Sequence, residues 1–372
     1  MRDCERRCRW VRHRCPILDV YPTGSGRGRR SGPSEEGPPK EANMAASADL
    51  TSAPRIGLSA KLAIFGLCYA GVAASLFPET YLAALGTRRL LILYFLLPFI
   101  ILLGLGIAAP FSDRRAPATW FLAKISFRWR GATLTLGIFI LCLAAFTTYK
   151  YELAQMVPFF ADRQLAEIDA ALHFGHVWKW ARSVPLPGVI DQALYVLYAQ
   201  LWFVVVAFVV VAAAWIDDAA KRQRYFLSLT ATAVILGIVV RVMASSAGPI
   251  FYDRLFDPDL FDDLTASLRS SNAGPAILRI SDYLYSSYTS RQASIGSGIS
   301  AMPSFHVAMV TLNALLLGSI NRTAGIFAWL YVAAIMFGSV YFGWHYAIDD
   351  YVSIILVWLI WRGAGKLTGA KQ

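Results

Sequence analysis

Three apolar stretches near the C-terminal end decide the fold: PSFHVAMVTLNALLLGSI (303–320), AGIFAWLYVAAIMFGSVYFG (324–343) and YAIDDYVSIILVWLIWR (346–362). Each is close to the roughly 20 mostly apolar residues that an α-helix needs to cross a bilayer. Only a few residues separate consecutive stretches. We therefore expect three closely spaced membrane helices, the final pair forming a tight helical hairpin.

The rest of the chain also has the composition of a membrane protein. It is 56% hydrophobic and 16% charged, with a mean hydropathy of +0.48, which is rare for a soluble protein of this length. Five further stretches reach membrane length: 58–77, 89–109, 131–149, 190–214 and 225–243. The sequence therefore predicts an all-α, polytopic membrane helical bundle of about eight transmembrane helices.

The first 43 residues differ from this pattern. They hold ten Lys or Arg against six Asp or Glu and are rich in Gly, Pro and Ser, which predicts a disordered basic tail. The alternative is that translation starts at Met44. Cys4, Cys8, Cys15 and His13 lack the paired C-x2-C spacing of zinc sites, so no metal site is predicted.

Short basic segments predict the orientation. The segments 110–130 and 216–224 and the tail 363–372 are basic, and all three lie on the cytoplasmic side if both termini are cytoplasmic. The extracytoplasmic face then carries Lys150, Ser246, His306 and His345 together. The alanine-rich composition and the lack of trafficking signals favour a bacterial inner (plasma) membrane.

Two of the five histidines stand at the edges of membrane-length stretches. His345 and Asp349 are four residues apart, which places both on one helix face, where the carboxylate can orient the imidazole. Pro303-Ser304 opens a helix whose free N–H groups favour an anion, and His306 follows in its first turn. His306, His345 and Asp349 are the predicted catalytic residues, and they favour phosphoryl transfer at a membrane surface. The structural alternatives are a capping or interfacial His306 and a local His345–Asp349 hydrogen bond.

Five residues are predicted to bind phosphate: Lys150, Ser304, Arg241, Ser246 and Gly248. Three of these predictions have a structural alternative. Lys150 at a helix end can simply extend to the interface. Arg241, inside its span, can pair with a carboxylate. The turn containing Gly248-Pro249 is either a plain turn or a nest of N–H groups for phosphate.

Two outer segments complete the prediction. The segment 163–182, with His173 and His176, is expected to lie flat on the outer surface without binding a ligand. The loop from 250 to about 300 is acidic at first and Gly/Ser-rich at 294–300. That last part is predicted to be flexible, with the whole loop acting as a lid that selects the acceptor.

The chain resembles the type 2 phosphatidic-acid phosphatase superfamily, and within it the branch of the inositol phosphorylceramide synthases. Pro303-Ser304-Phe305-His306 resembles the second motif, Pro-Ser-x-His, and His345-Tyr346-Ala347-Ile348-Asp349 the third, His-Tyr-x-x-Asp. A looser first motif covers the following residues: Tyr149, Lys150, Pro158, Phe159, Asp162, Asp169, Leu172, His173, Gly175, Tyr195 and Tyr198. The Ser-Ala-Gly-Pro turn at 246–249 also resembles that branch. Gly338-Ser339 replaces the Ser-Arg of the phosphatases, and the Arg-Pro ending of the first motif is missing, as in the synthase-like branch.

This resemblance implies a six-helix, lipid-phosphatase-like core at 131–362, preceded by two accessory helices within 44–130 and followed by the tail 363–372. It implies that His345 attacks phosphorus, that Asp349 holds its ring, and that His306 protonates the leaving group. No metal or cofactor is implied. The expected partners are a membrane lipid and a polyol or water acceptor, not nucleic acid. The alternatives are a simple lipid phosphate phosphatase and, more remotely, a transporter or an inactive scaffold.

Overall fold

The computed structural model describes residues 57–86, 96, 99–100, 102–107, 109–110, 112–256, 259–293 and 296–370. The predicted tail 1–43, with its Cys and His residues, lies outside them, as does much of the predicted span 89–109. Every regular element in the described residues is helical. The all-α membrane bundle is therefore confirmed, while the number of spans stays a prediction.

The described helices are α1 Leu58–Leu76, α2 Pro78–Leu85, α3 Pro117–Met156, α4 Asp162–Leu172, α5 Val177–Ser183, α6 Gly188–Ala214, α7 Ala219–Met243, α8 Pro249–Leu255, α9 Asp262–Arg269, α10 Gly274–Thr289, α11 Phe305–Ile320, α12 Arg322–Tyr341 and α13 Ala347–Thr368. Five of them, α1, α3, α6, α7 and α12, are long and apolar enough to cross a membrane. Helix α11 is apolar but shorter, and α13 has 22 residues.

Helix α3 corrects the expected span 131–149. It runs for 40 residues from Pro117, whose ring suits the first turn, to Met156. Pro158 then follows Val157, which is extended and ends the helix. No Pro interrupts the intervening sequence, so most of the basic segment 110–130 is helix rather than loop. Lys150 accordingly lies within the helix and not at its end.

The tight hairpin is formed by α11 and α12, not by the final pair of helices. Asn321 alone joins α11 to α12, and its side chain accepts the Ala324 N–H at 3.0 Å. A Cβ on Gly325 would lie 2.6 Å from the Cα of Gly318, so these two backbones approach closely. Helix α13 instead packs mainly against α7 and α11.

Two helices contain a π-helical segment that the sequence does not predict. In α6 the segment is Val196–Leu201, and in α7 it is Ile235–Val240. The extra residue in such a turn rotates the side chains that follow it, and π segments often occur at functional sites. The first segment contains Tyr198, and the second ends immediately before Arg241.

Basic side chains gather at the end of α3 opposite Lys150. Lys124 pairs with Asp217, and the Arg128 guanidinium donates to the Ala214 carbonyl at 2.7 Å. Lys124 and Lys150 are about 39 Å apart along the helix, given a rise of about 1.5 Å per residue. One end of the bundle therefore carries basic residues paired with the protein, and the other carries the residues predicted to act on phosphate.

The hairpin contact predicts a stability effect. We expect Gly325→Ala to destabilise the protein by about 1–3 kcal/mol, because the added methyl group forces α11 and α12 apart. The control is Gly137→Ala, where no atom lies within 4 Å of the new Cβ. Thermal unfolding in detergent would measure both variants, and equal melting temperatures would contradict the prediction.

Candidate active site

Three connecting segments meet at the end of the bundle that carries Lys150. The Ala301 N–H donates to the Ser246 carbonyl at 2.8 Å, which joins the segment after α7 to the segment before α11. The Ile250 N–H donates to the Gly343 carbonyl at 2.8 Å, which joins α8 to the turn before α13. These bonds bring the two histidine motifs together although they are separated by a helical hairpin.

Asp162, at the start of α4, is a central support of this junction. Its carboxylate accepts the N–H groups of Ala247 and Gly248, each at 2.8 Å, and the Tyr346 hydroxyl at 3.1 Å. Burial raises the pKa of Asp162, and the hydrogen bonds from Gly248, Ala247 and Tyr346 oppose that rise. One buried carboxylate thus links the turn after α7 to the start of α13.

Asp169, two turns further along α4, supports α13 directly. Its carboxylate accepts the Ile348 N–H at 3.0 Å, in the first turn of α13. Nδ1 of the neighbouring His173 donates to the Asp169 backbone carbonyl at 2.7 Å, and its Nε2 lies 2.9 Å from the Tyr351 hydroxyl. His173 therefore has partners within the protein on both ring nitrogens.

His345 is buried, with 5% of its surface exposed, in the turn before α13. Its Nδ1 lies 2.9 Å from the Ala301 carbonyl oxygen and 3.5 Å from Oδ2 of Asp349. A carbonyl oxygen only accepts, so Nδ1 carries the proton and Nε2 keeps its lone pair in the neutral ring. Burial lowers the pKa of His345, which favours the neutral ring. Attraction to Asp350 and the bond to the Ala301 carbonyl oppose that shift.

Asp349 is fully buried at the start of α13. Its Oδ2 accepts the Tyr346 N–H at 3.0 Å, and this fixes the carboxylate beside Nδ1 of His345. The shorter contact to His345 nevertheless comes from the Ala301 carbonyl, which the sequence analysis did not identify. Two oxygens thus face the same nitrogen, and the role of Asp349 in catalysis stays a prediction.

His306 lies in the first turn of α11 between aromatic rings of α6. Its ring stacks on Tyr198 with centroids 4.9 Å apart and an interplanar angle of 13°, and the Trp202 centroid is 4.3 Å away. The His306 and His345 centroids are 6.3 Å apart. A phosphoryl group bonded to one ring is therefore within reach of the other.

Lys150 and Arg241 bring two positive charges to this site. The Arg241 guanidinium is 6% exposed and donates to the carbonyls of Lys150 at 2.6 Å and Ile299 at 2.9 Å. The Lys150 ammonium lies 3.5 Å from the Gly296 carbonyl and interacts electrostatically with both histidines. In the described part of the chain, no carboxylate lies within 4.0 Å of either cation. The alternative of an Arg241–carboxylate pair therefore finds no support there.

The segment 296–300 corrects the expectation of flexibility at 294–300. Ser297 and Ile299 are each 1% exposed. Gly298 has φ +96°, and a Cβ there would lie 2.6 Å from the Lys150 carbonyl oxygen, so the segment lies directly on α3. Its backbone is held by Arg241 and Lys150, which explains why the Gly/Ser composition does not produce a loose loop. Ser294 and Ile295 lie outside the described residues.

The remaining predicted phosphate-binding groups already have partners in the chain. Ser304 caps α11 by accepting the Val307 N–H at 3.4 Å, and the Ser246 hydroxyl accepts the Met302 N–H at 3.2 Å. Gly248, at φ +96°, donates to Asp162, so the nest of N–H groups expected for phosphate holds a carboxylate of the protein. Phosphate binding by these three residues stays a prediction, and their observed role is to build the junction.

One family model, described as the PAP2 superfamily, matches residues 163–362. No curated protein and no solved structure matches the chain. The match includes His306, His345 and Asp349, while Lys150 precedes it. Because the match covers more than half of the 372 residues, the chain belongs to the PAP2 superfamily, a family of enzymes of the lipid phosphatase and phosphotransferase type.

Proposed function

We propose that this membrane protein transfers a phosphate-containing group from a lipid to an alcohol acceptor through a phosphohistidine at His345. One observation carries the proposal: Nδ1 of His345 is held by the Ala301 carbonyl, which leaves Nε2 as the nucleophile, 6.3 Å (centroid to centroid) from the ring of His306. A nucleophile fixed in one tautomer beside an acid–base residue is the arrangement that covalent catalysis needs.

In the first step, Nε2 of His345 bonds to phosphorus as the bond from phosphorus to the lipid oxygen breaks. The electron pair of that bond stays on the lipid oxygen, which takes a proton from His306. The positive charge passes to the His345 ring, and Asp349 lies 3.5 Å from its Nδ1. Acid–base catalysis by a positioned histidine contributes about 10²–10⁴-fold.

In the second step, the acceptor hydroxyl gives its proton to His306, and its oxygen bonds to phosphorus. The nitrogen–phosphorus bond breaks, and its electron pair returns to Nε2 of His345. Both histidines are then in their starting states. An alcohol acceptor yields a new phosphoester, whereas water yields hydrolysis, so the two reactions share one intermediate.

Lys150, Arg241 and the first turn of α11 are the positive groups that stabilise the phosphoryl oxygens in this proposal. Fixed positive charges and N–H groups in a buried site stabilise developing negative charge because they need no reorganisation during the reaction. No step is routed through a metal or a cofactor.

Transfer rather than hydrolysis is the preferred version. The chain resembles the inositol phosphorylceramide synthase branch, and Ser339 stands where the phosphatases of the superfamily carry Arg. We therefore propose a polyol such as inositol as the acceptor, and simple phosphate hydrolysis as the second candidate. The burial of Ser297 and Ile299 beside the site supports restricted access of water.

The site faces the extracytoplasmic side of a bacterial inner membrane in this proposal. Support comes from the basic residues at the opposite end of the bundle and the rule that such residues stay in the cytoplasm.

The orientation predicts which cysteines react from outside intact cells. In a variant without the native cysteines, we expect Phe174→Cys to react with a membrane-impermeant maleimide, because Phe174 is 94% exposed near the site end. Arg222→Cys, at the basic end, should react only after the cells are permeabilised. The reverse labelling pattern would contradict the proposed orientation.

The phosphohistidine is tested with purified protein in lipid–detergent micelles containing EDTA. Lipid phosphates and phosphodiester lipids would be supplied with and without inositol. We expect turnover that His345→Ala abolishes and His306→Ala lowers by about 10²–10⁴-fold. His176→Ala, whose ring packs on Phe261, is the control. An inositol phosphoester as the product would indicate transfer, and free phosphate would indicate hydrolysis. Full activity in His345→Ala would refute the mechanism.

The cationic pair is tested with Lys150→Met, which keeps the length of the side chain and removes its charge. We expect kcat/KM to fall by about 10²-fold, because one charge on the phosphoryl oxygens is lost. Inhibition by inorganic phosphate should weaken as well. Arg222→Gln at the basic end is the matched control. Unchanged phosphate inhibition in Lys150→Met would mean that this ammonium only extends to the interface.

A further inference from the structure

Asp350 is a buried carboxylate that the proposed mechanism does not use. It lies one residue after Asp349 on α13 and is 1% exposed. Its Oδ2 accepts the Ser339 hydroxyl at 2.5 Å, and the Ser304 side chain also hydrogen-bonds to this carboxylate. A buried carboxylate is costly, so the surroundings must offset its charge.

Ser339 fixes this carboxylate relative to His345. The Ser339 hydroxyl donates to Asp350. The backbone carbonyl of Ser339 accepts the N–H groups of Trp344 at 2.9 Å and His345 at 3.3 Å. One residue of α12 therefore holds both the backbone of the nucleophile and the carboxylate. Asp350 also interacts electrostatically with His345 itself.

Titratable groups face His345 from three helices. Lys150 comes from α3, His306 from α11, and Asp349 and Asp350 from α13. Lys150 lowers the pKa of His345, and Asp350 raises it. Asp350 therefore opposes the charge of Lys150 on the same ring.

We propose that Asp350, held by Ser339, is a second positioning residue for His345 and the counter-charge of the imidazolium that forms when Nε2 bonds to phosphorus. This inference rests on the proposed function. No proton moves to Asp350. The ring becomes positive because the lone pair of Nε2 enters the new bond to phosphorus, and the carboxylate stabilises that charge until the acceptor reacts.

The test is Asp350→Asn, which keeps the shape and an acceptor for Ser339 but removes the charge. We expect kcat to fall by about 10–100-fold with little change in KM, and less phosphohistidine at steady state. The acid limb of the kcat/KM profile should move to lower pH. Asp350 raises the pKa of His345, so its loss lowers that pKa, and the neutral, attacking ring persists at lower pH.

Ser339→Ala is the companion variant, because it releases the carboxylate without removing its charge. We expect a smaller fall in kcat and less phosphohistidine, and this variant carries the test if Asp350→Asn does not fold. Lower activity with an unmoved acid limb in folded Asp350→Asn would show a purely structural role and overturn the inference. A wild-type amount of phosphohistidine at His345 together with unchanged kcat in both variants would also overturn it. Absence of phosphohistidine in the wild-type protein would overturn the proposed function together with this inference.

Discussion

The site depends on one buried carboxylate, that of Asp162. Three donors from two distant segments converge on it: the N–H groups of Ala247 and Gly248 and the hydroxyl of Tyr346. A buried polar group without partners costs more than the net gain of a hydrogen bond, so each of these groups favours only the arrangement that pairs them all. The neighbouring segment must also pass close by. A Cβ on Gly248 would lie 2.5 Å from the Trp344 carbonyl oxygen, which is why glycine stands there.

The distribution of charge around the two histidines follows the needs of the proposed reaction. Lys150 and Arg241 have no carboxylate partner in the described part of the chain, so their charge is available to an anion. The carboxylate of Asp349 instead lies beside Nδ1 of His345, on the edge of the ring away from the attacking Nε2. Positive groups near the phosphoryl oxygens and negative groups behind the nucleophile both favour the charge separation that the first step creates.

The sequence predicted the residues whose spacing is local. His345 and Asp349 are one helical turn apart, and Pro303-Ser304 marks the start of α11, so periodicity and capping rules were sufficient to find them. It did not predict the Ala301 carbonyl, because any residue type supplies a carbonyl. The sequence marks Asp162 only as part of a motif and not as a support of the site, since its partners lie more than 80 residues away.

Other features are not predictable because no sequence signal marks them. The π segment Val196–Leu201 contains neither Gly nor Pro that would indicate an irregular helix. It includes Tyr198, whose ring stacks on His306. The Gly/Ser composition of 294–300 predicts a flexible loop because composition carries no information about neighbours in space. The carbonyls of Ile299 and Gly296 are instead held by Arg241 and Lys150.

The contacts of Arg241 link the segment 296–300 to the helix that carries Lys150. The Arg241 guanidinium holds the Ile299 carbonyl and the Lys150 carbonyl at once, so the segment 296–300 and the helix carrying the ammonium are held by the same side chain. A displacement of that segment would therefore also disturb the cations that stabilise the phosphoryl group in the proposed reaction. In that reaction, an acceptor that binds beside this segment also affects where the two cations are placed.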